Sequence, residues 1–237
     1  MRIWALIPAA GCGTRFGGDL PKQYLDLAGK TIIEHSIEKI TMVSGVLGIV
    51  VVLAPGDKLF ERLCSGSSSY AKIMYAIGGR DRASSVYNGL QSLSKLAQED
   101  DWVLVHDAVR PCVRMSDITS LINTVGDDSV GGFLGCPVTD TLKQVGRDDR
   151  VVATVDRSAL WSAFTPQLFR YGRLRSAMEL GNTAMFTDES SAIEALGYQP
   201  KCVKGSSDNL KITRKRDLTL AKEILIAQRK EAESAAD

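Results

Sequence analysis

The chain has 237 residues, with 29 Lys and Arg against 28 Asp and Glu, for a formal net charge of +1. A hydrophobic fraction of 44% and a charged fraction of 24% suit a globular protein able to bury a full core. Near-neutral charge excludes a general nucleic-acid surface, and the longest apolar run, Val46 to Ala54, is too short to cross a bilayer.

Ile3 to Ile7 reads as a buried first strand, so close behind Met1-Arg2 that no signal peptide is expected. The strand opens into Pro8-Ala9-Ala10 and a loop in which Gly11, Gly13, Gly17 and Gly18 bare the backbone. Arg15 and Lys22 add two cations to that loop. Exposed N–H groups and positive charge converging on one anion suit a polyphosphate. A Gly-rich surface turn with solvated cations is the alternative for a lone GxG. Pro21-Lys22-Gln23-Tyr24, closing the same loop, favours the anion.

Thr31 then caps a helix with apolar positions Ile32, Ile33, Ile37 and Ile40. Val46 to Leu53 is a continuous strand, ended by Ala54-Pro55-Gly56-Asp57, with a second helix expected from Lys58 to Cys64. Lys72 to Ile77 is the next strand. Gly78-Gly79-Arg80-Asp81-Arg82 leads into a helix bearing Val86, Leu90, Leu93 and Leu96. Trp102 to Val105 is a short buried strand ending at His106-Asp107. Apolar strands alternating with amphipathic helices indicate an α/β fold with a parallel sheet covered on both faces.

Residues 139 to 158 break the rhythm. Two alternating segments flank a turn-like Gly146 to Arg150, which predicts a projecting hairpin. It either folds back on its own body or packs on a second subunit. An amphipathic helix over Leu218 to Arg229 fades into a polar tail at about 230–237. The five cysteines, Cys12, Cys64, Cys112, Cys136 and Cys202, are scattered and lack CxxC spacing. Reduced thiols in a cytoplasmic protein are expected. With only two histidines in the chain, Cys12 has little support as an activated nucleophile.

Ligands of open parallel sheets sit beyond the carboxyl ends of the strands. Gly11 to Lys22, Gly78 to Ser85 and His106 to Pro111 are therefore expected to line one crevice. Asp107 at a strand tip suits a Mg²⁺ ligand, a sugar-hydroxyl acceptor or a turn cap. His106 reads as a packed or loop-bonding histidine, and Thr187-Asp188-Glu189 as a possible helix start.

Nine segments in order resemble the 2-C-methyl-D-erythritol 4-phosphate cytidylyltransferase family. They are 8–15, Pro-Lys-Gln-Tyr at 21–24, 78–86, Val-His-Asp-Ala-Val-Arg-Pro at 105–111, and Pro-Val-Thr-Asp-Thr at 137–141. Thr-Val-Asp-Arg at 154–157, 160–167, Thr-Asp-Glu at 187–189 and Asp-Asn-Leu-Lys-Ile-Thr at 208–213 complete the set, and the match spans Pro8 to about Ala221. The resemblance implies a Rossmann-like, mostly parallel sheet of nucleotidyltransferase type, in one domain over 1–237, with a β-hairpin dimerisation arm at about 138–158. It implies transfer of a cytidylyl group from CTP to the 4-phosphate of methylerythritol phosphate, releasing pyrophosphate, with Mg²⁺ or another divalent cation required. Asp107 is a candidate for touching that metal, which otherwise rides on the CTP phosphates.

By the same resemblance, Ala9, Ala10, Gly79 and Ser85 hold the cytidine end, beside Gly11 and Gly13. Arg15 and Lys22 stabilise the reacting phosphates. Lys211 and Arg157 position the sugar phosphate, helped by Thr141, Asp107, Arg110 and Thr187. In a homodimer the arm crosses over, so Arg157 and Thr141 serve the neighbour's site. Asp81 and Val109 depart from the family's more usual Glu and Ala. No nucleic-acid or membrane partner is expected.

Three other readings compete. A ribitol 5-phosphate cytidylyltransferase shares the glycine loop and the His-Asp-x-x-Arg-Pro turn, but Pro8-Ala9-Ala10 and Asp156-Arg157…Leu160-Trp161 favour the methylerythritol family. A nicotinamide-dependent oxidoreductase lacks its ribose-binding acid, since the second strand ends Val52-Leu53-Ala54-Pro55. A non-catalytic nucleotide-binding protein keeping the fold stays open.

Overall fold

The computed structural model describes residues 1–11, Phe16, 20–64, 72–180 and 186–234. Its first strand, β1 (Ile3–Pro8), is followed by a 3₁₀ turn at Lys22–Tyr24 and a small antiparallel pair, β2 (Asp26–Leu27) and β3 (Lys30–Thr31). Then come α1 (Ile32–Thr41), β4 (Val46–Leu53), α2 (Leu59–Cys64), β5 (Ile73–Ile77), α3 (Arg82–Ser92) and β6 (Trp102–Val105). The second half holds α4 (Met115–Val125), β7 (Gly131–Pro137), β8 (Leu142–Val145), β9 (Val151–Val155) and β10 (Trp161–Arg170). It ends with α5 (Tyr171–Leu180), α6 (Glu189–Ala195), β11 (Lys201–Lys204) and α7 (Lys215–Ser234).

Among the described residues the main sheet has seven strands, in the order β11-β7-β10-β6-β1-β4-β5. All pairings are parallel except those of β10, which runs antiparallel to β6 and β7. The alternation of side chains along β1 shows why both faces are covered. Ile3, Ala5 and Ile7 face a core built with Ile33, Ile37 and Ile40 of α1, Phe60 of α2, and Ile118 and Leu121 of α4. Trp4 and Leu6 face Val86 and Leu90 of α3, Leu174 of α5 and Ile193 of α6. A third cluster joins Ala221 and Leu225 of α7 to Leu27, Ile32, Cys112 and Ile212.

Local signals set the helix starts. Thr31 accepts the Glu34 N–H while the Glu34 carboxylate takes the Thr31 N–H, a capping box worth about 1 kcal/mol. Asp81 caps α3 by accepting from Ser84 N, and Asp188 caps α6 by accepting from Ser191 N.

The structure departs from the sequence reading in two places and matches it in a third, the projecting hairpin. Leu96 lies beyond the end of α3 and is exposed. The last helix runs through residues 230–234 of the expected tail, while 235–237 lie outside the described residues. The β8–β9 hairpin forms a sheet of its own, and Val145, Val151 and Val152 are left exposed. It does not fold back to bury its apolar side chains. No described helix is long and apolar enough to cross a membrane.

Candidate active site

Because β1, β5 and β6 run parallel, their carboxyl ends open on one edge of the sheet. After β1 the chain crosses by α1 to β4 and β5, and α3 then returns it to β6 on the other side of β1. The chain therefore reverses its progress at β1, the kind of switch point where open α/β sheets bind ligands. A cleft of about 410 Å³ occupies this position. It is lined by Pro8 to Gly11 from the first tip, Gly79 to Arg82 and Ser85 from the second, and Asp107 to Val109 from the third. Lys22, Gln23, Lys211 and Thr213 close it.

The wall formed by the first two strand tips is tied down by hydrogen bonds to backbone atoms. Ala9 N donates to Val52 O (2.8 Å), and Gln23 Nε2 donates to Ala9 O (2.7 Å). Gly78 N donates to Leu53 O (2.7 Å), so the turn after β5 sits directly beside Ala10. A Cβ on Gly78 would overlap the Ala10 methyl, which leaves glycine as the residue that fits. Ser85 Oγ donates to Asp81 O (2.8 Å) and accepts from Gly79 N (3.1 Å), fixing that turn on the first turn of α3. The Lys22 loop is anchored from below by Tyr24, whose hydroxyl donates to Asp57 Oδ2 at 2.6 Å. Burial and that carboxylate together push the Tyr24 phenol upward. Lys22 Nζ itself donates to Ile212 O at 3.1 Å.

The opposite wall is organised by one buried carboxylate. Asp107, whose side chain is 7% exposed, meets Arg82 at 3.0 Å, Lys211 at 2.8 Å and Arg110 at 3.5 Å. Burial alone would raise its carboxyl, but Arg82, Lys211 and Arg110 outweigh that and hold it well below the usual carboxylate range. Arg82 continues to Glu189, which is 0% exposed and receives Nη1 at 2.6 Å and Nη2 at 3.2 Å. Arg110 Nη1 donates to Asn209 O (2.7 Å), and its guanidinium lies over the Phe164 ring.

Beneath Asp107 lies His106, fully buried. Its Nε2 is 3.0 Å from Arg110 O, which can only accept, so this nitrogen carries the proton. Nδ1 then accepts from Thr165 Oγ1 (3.1 Å), which in turn accepts from Asp107 N (3.0 Å). Burial lowers the imidazole pKa from 6.5 to about 4. A neutral histidine thus serves as a rivet for the 106–110 turn, the loop-bonding role its sequence context suggested.

The sequence model of IspD, 2-C-methyl-D-erythritol 4-phosphate cytidylyltransferase, matches residues 3–227. The chain belongs to that family. The enzyme of that name from Pseudomonas entomophila (strain L48) is 50% identical over 219 residues, covering 91% of this chain and 92% of that one. The Aliivibrio fischeri (strain MJ11) enzyme is 46% identical over 233 residues, covering 98% and 97%. Among solved structures, the Francisella tularensis enzyme superposes with a TM-score of 0.80 at 36% identity, covering 94% of this chain and 100% of that one. A 4-diphosphocytidyl-2C-methyl-D-erythritol synthase superposes with a TM-score of 0.83 at 36% identity, covering 94% and 98%. The protein is a nucleotidyltransferase with this α/β fold. It transfers the cytidylyl group of CTP to 2-C-methyl-D-erythritol 4-phosphate in the non-mevalonate route to isoprenoid precursors.

The cleft of this cytidylyltransferase gathers Ala9, Ala10, Gly11, Lys22, Gly79, Ser85, Asp107 and Lys211 among the residues singled out from sequence. Arg110 reaches it through Asp107. Arg15 and Gly13 lie outside the described residues. Thr141, Arg157 and Thr187 are exposed and do not line the cleft. Arg157 Nη1 donates to Thr141 Oγ1 at 3.4 Å on the arm, and Thr187 N donates to Ser191 Oγ at 3.1 Å. Sequence reasoning passed over Arg82 and Glu189 as site residues. Both stand inside quoted motifs, yet nothing local says that positions so far apart meet.

Proposed function

We propose that the whole chain works as a single cytidylyltransferase unit and that its cleft divides the reaction between two walls. Ala9, Ala10, Gly79 and Ser85 hold the cytidine, and Gly11 and Gly13 bind the same nucleotide. Lys22 and Arg15 stabilise the reacting phosphates. Lys211 and Arg110, oriented by Asp107, hold the acceptor's 4-phosphate. The observation that carries this reading is the arrangement of Arg82, Arg110 and Lys211 around one buried carboxylate beside Lys22.

The chemistry follows from charge. The nucleophile is a phosphate oxygen, ionised at neutral pH, so the site needs no general base. The barrier is repulsion between an anionic attacker and a triphosphate, which fixed cations offset. His106 donates and accepts only inside the protein, consistent with a site that moves charge rather than protons.

Asp107 does not fit a metal ligand's role, because both its oxygens already carry cations. Among the described residues no three His, Cys, Asp or Glu side chains cluster to hold an ion. We assign Mg²⁺, or another divalent cation, to the nucleotide's phosphates.

The same proposal makes the enzyme a cytoplasmic homodimer. The arm is exposed along its apolar residues, and Thr141 and Arg157 sit on it away from their own cleft. Crossing to a second copy would bury those valines and bring both residues to the partner's acceptor wall. Pyrophosphate release from CTP with Mg²⁺ tests the acceptor. Methylerythritol phosphate should support turnover and ribitol 5-phosphate should not; preference for ribitol phosphate would overturn the assignment of the acceptor wall.

A further inference from the structure

We propose that Glu189 is a positioning residue whose carboxylate, acting through Arg82, sets how Asp107 presents Lys211 and Arg110 to the acceptor phosphate. The inference rests on the reading of those two cations given above.

Glu189 is not needed to start its helix. Asp188 already caps α6, with Oδ1 on Ser191 N (2.9 Å) and Oδ2 accepting from Gln167 Nε2 (2.9 Å). Yet Glu189, one residue on, is wholly buried. Burying a carboxylate costs several kcal/mol unless a cation and hydrogen bonds compensate. Arg82 supplies both, spending Nη1 and Nη2 on Glu189.

The adjoining edge of the same guanidinium faces Asp107, with Nε and Nη2 both 3.0 Å from Oδ1, so the two carboxylates share Nη2. A planar fork can serve two carboxylates at once, one on each edge. The geometry therefore links the two acids through one cation. Glu189 shares the Arg82 charge with Asp107. Asp107 keeps Oδ1 for Arg82 and leaves Oδ2 for Lys211 at 2.8 Å and Arg110 at 3.5 Å.

Without the Glu189 charge, Arg82 would bear on Asp107 alone and compete with Lys211 and Arg110 for it. Those two cations would then lose their fixed orientation toward a bound phosphate. The hydrogen bonds that hold the nucleotide wall, from Gln23, Ser85 and Gly79, do not involve the Glu189 carboxylate. A residue that only fastened α6 to α3 would instead affect stability and leave the two substrates' KM values alone.

The test is steady-state kinetics of Glu189→Gln with each substrate varied in turn, on enzyme shown to be folded by circular dichroism. The KM for methylerythritol phosphate should rise about tenfold while that for CTP stays within about twofold, the scale of coupling between residues in one ion-pair network. Unchanged KM values, or a parallel rise in both, would overturn the relay. If Glu189→Gln does not fold, Arg82→Lys decides in the same way, since an ammonium keeps the charge but cannot span both carboxylates. Lys211→Ala, run alongside, separates the two levels. A normal acceptor KM there would remove Lys211 from the acceptor wall, whereas a raised one with unaltered Glu189→Gln would remove Glu189 alone.

Discussion

At the residue scale, the neutral His106 has a measurable thermodynamic signature. The unfolded chain binds a proton on this ring as pH falls through 6.5, while the folded protein refuses it until about pH 4. A depressed histidine pKa thus contributes stability above pH 6.5 that is lost as acid is added. The loss amounts to about 3 kcal/mol by pH 4. Urea titrations at pH 7 and pH 4 should show it, and His106→Gln, which retains an amide donor and acceptor, should show a shallower dependence. Equal pH dependence in both proteins would assign the acid sensitivity elsewhere. Burial raises the carboxyl of Glu189, which acts in the opposite sense, so the comparison with the variant is the informative one.

At the scale of elements, tight packing of helix on sheet makes one glycine decisive. A Cβ on Gly89 of α3 would come within 2.5 Å of Leu6 Cδ1 and 2.9 Å of Val52 Cγ2. Alanine is the better helix former by about 1 kcal/mol, but overpacking a buried contact costs about 1–3 kcal/mol. We expect Gly89→Ala to lower the urea midpoint; a higher midpoint would mean that α3 has room to lift off β1 and β4. Most of the alternation of strands and helices could be read in advance because periods of 2 and 3.6 differ plainly in runs such as Val46–Leu53 and Ile32–Thr41. Leu96 continued the apolar spacing although the helix had ended, since spacing alone does not mark where a helix stops. The antiparallel strand β10 was hidden for a related reason: Pro166 inside Trp161–Arg170 argues against a central strand, yet the pairing with β7 shifts register between Phe164 and Gln167 and absorbs it. The cleft-facing loops were legible because glycines and cations cluster locally. The pairing of Arg82 with Glu189 was not, since it depends on where α6 is docked and not on any spacing.

On the scale of the whole molecule, the proposed sharing of the acceptor site between two subunits predicts complementation. Lys22→Ala should lower kcat about 10²–10³-fold, the effect of losing one preorganised charge stabiliser. Arg157→Ala should chiefly weaken use of the sugar phosphate. When the two variants are mixed and allowed to exchange subunits, half of the dimers are mixed and each has one intact site. Activity should therefore recover to about a quarter of the wild-type value. Failure to recover, with mixed dimers demonstrated by mass, would place Arg157 in its own subunit's site or outside any site.

The ring of cations around Asp107 has a bearing on how the enzyme comes into being. Its members stand at positions 82, 110 and 211, on segments separated by most of the sheet. During synthesis the glycine loop emerges first and Lys211 about 200 residues later. An incomplete chain can hold pieces of the nucleotide wall but has no settled place for an acceptor. If Lys211 holds the acceptor as proposed, a nascent chain gains competence for turnover only after it has been made past that residue.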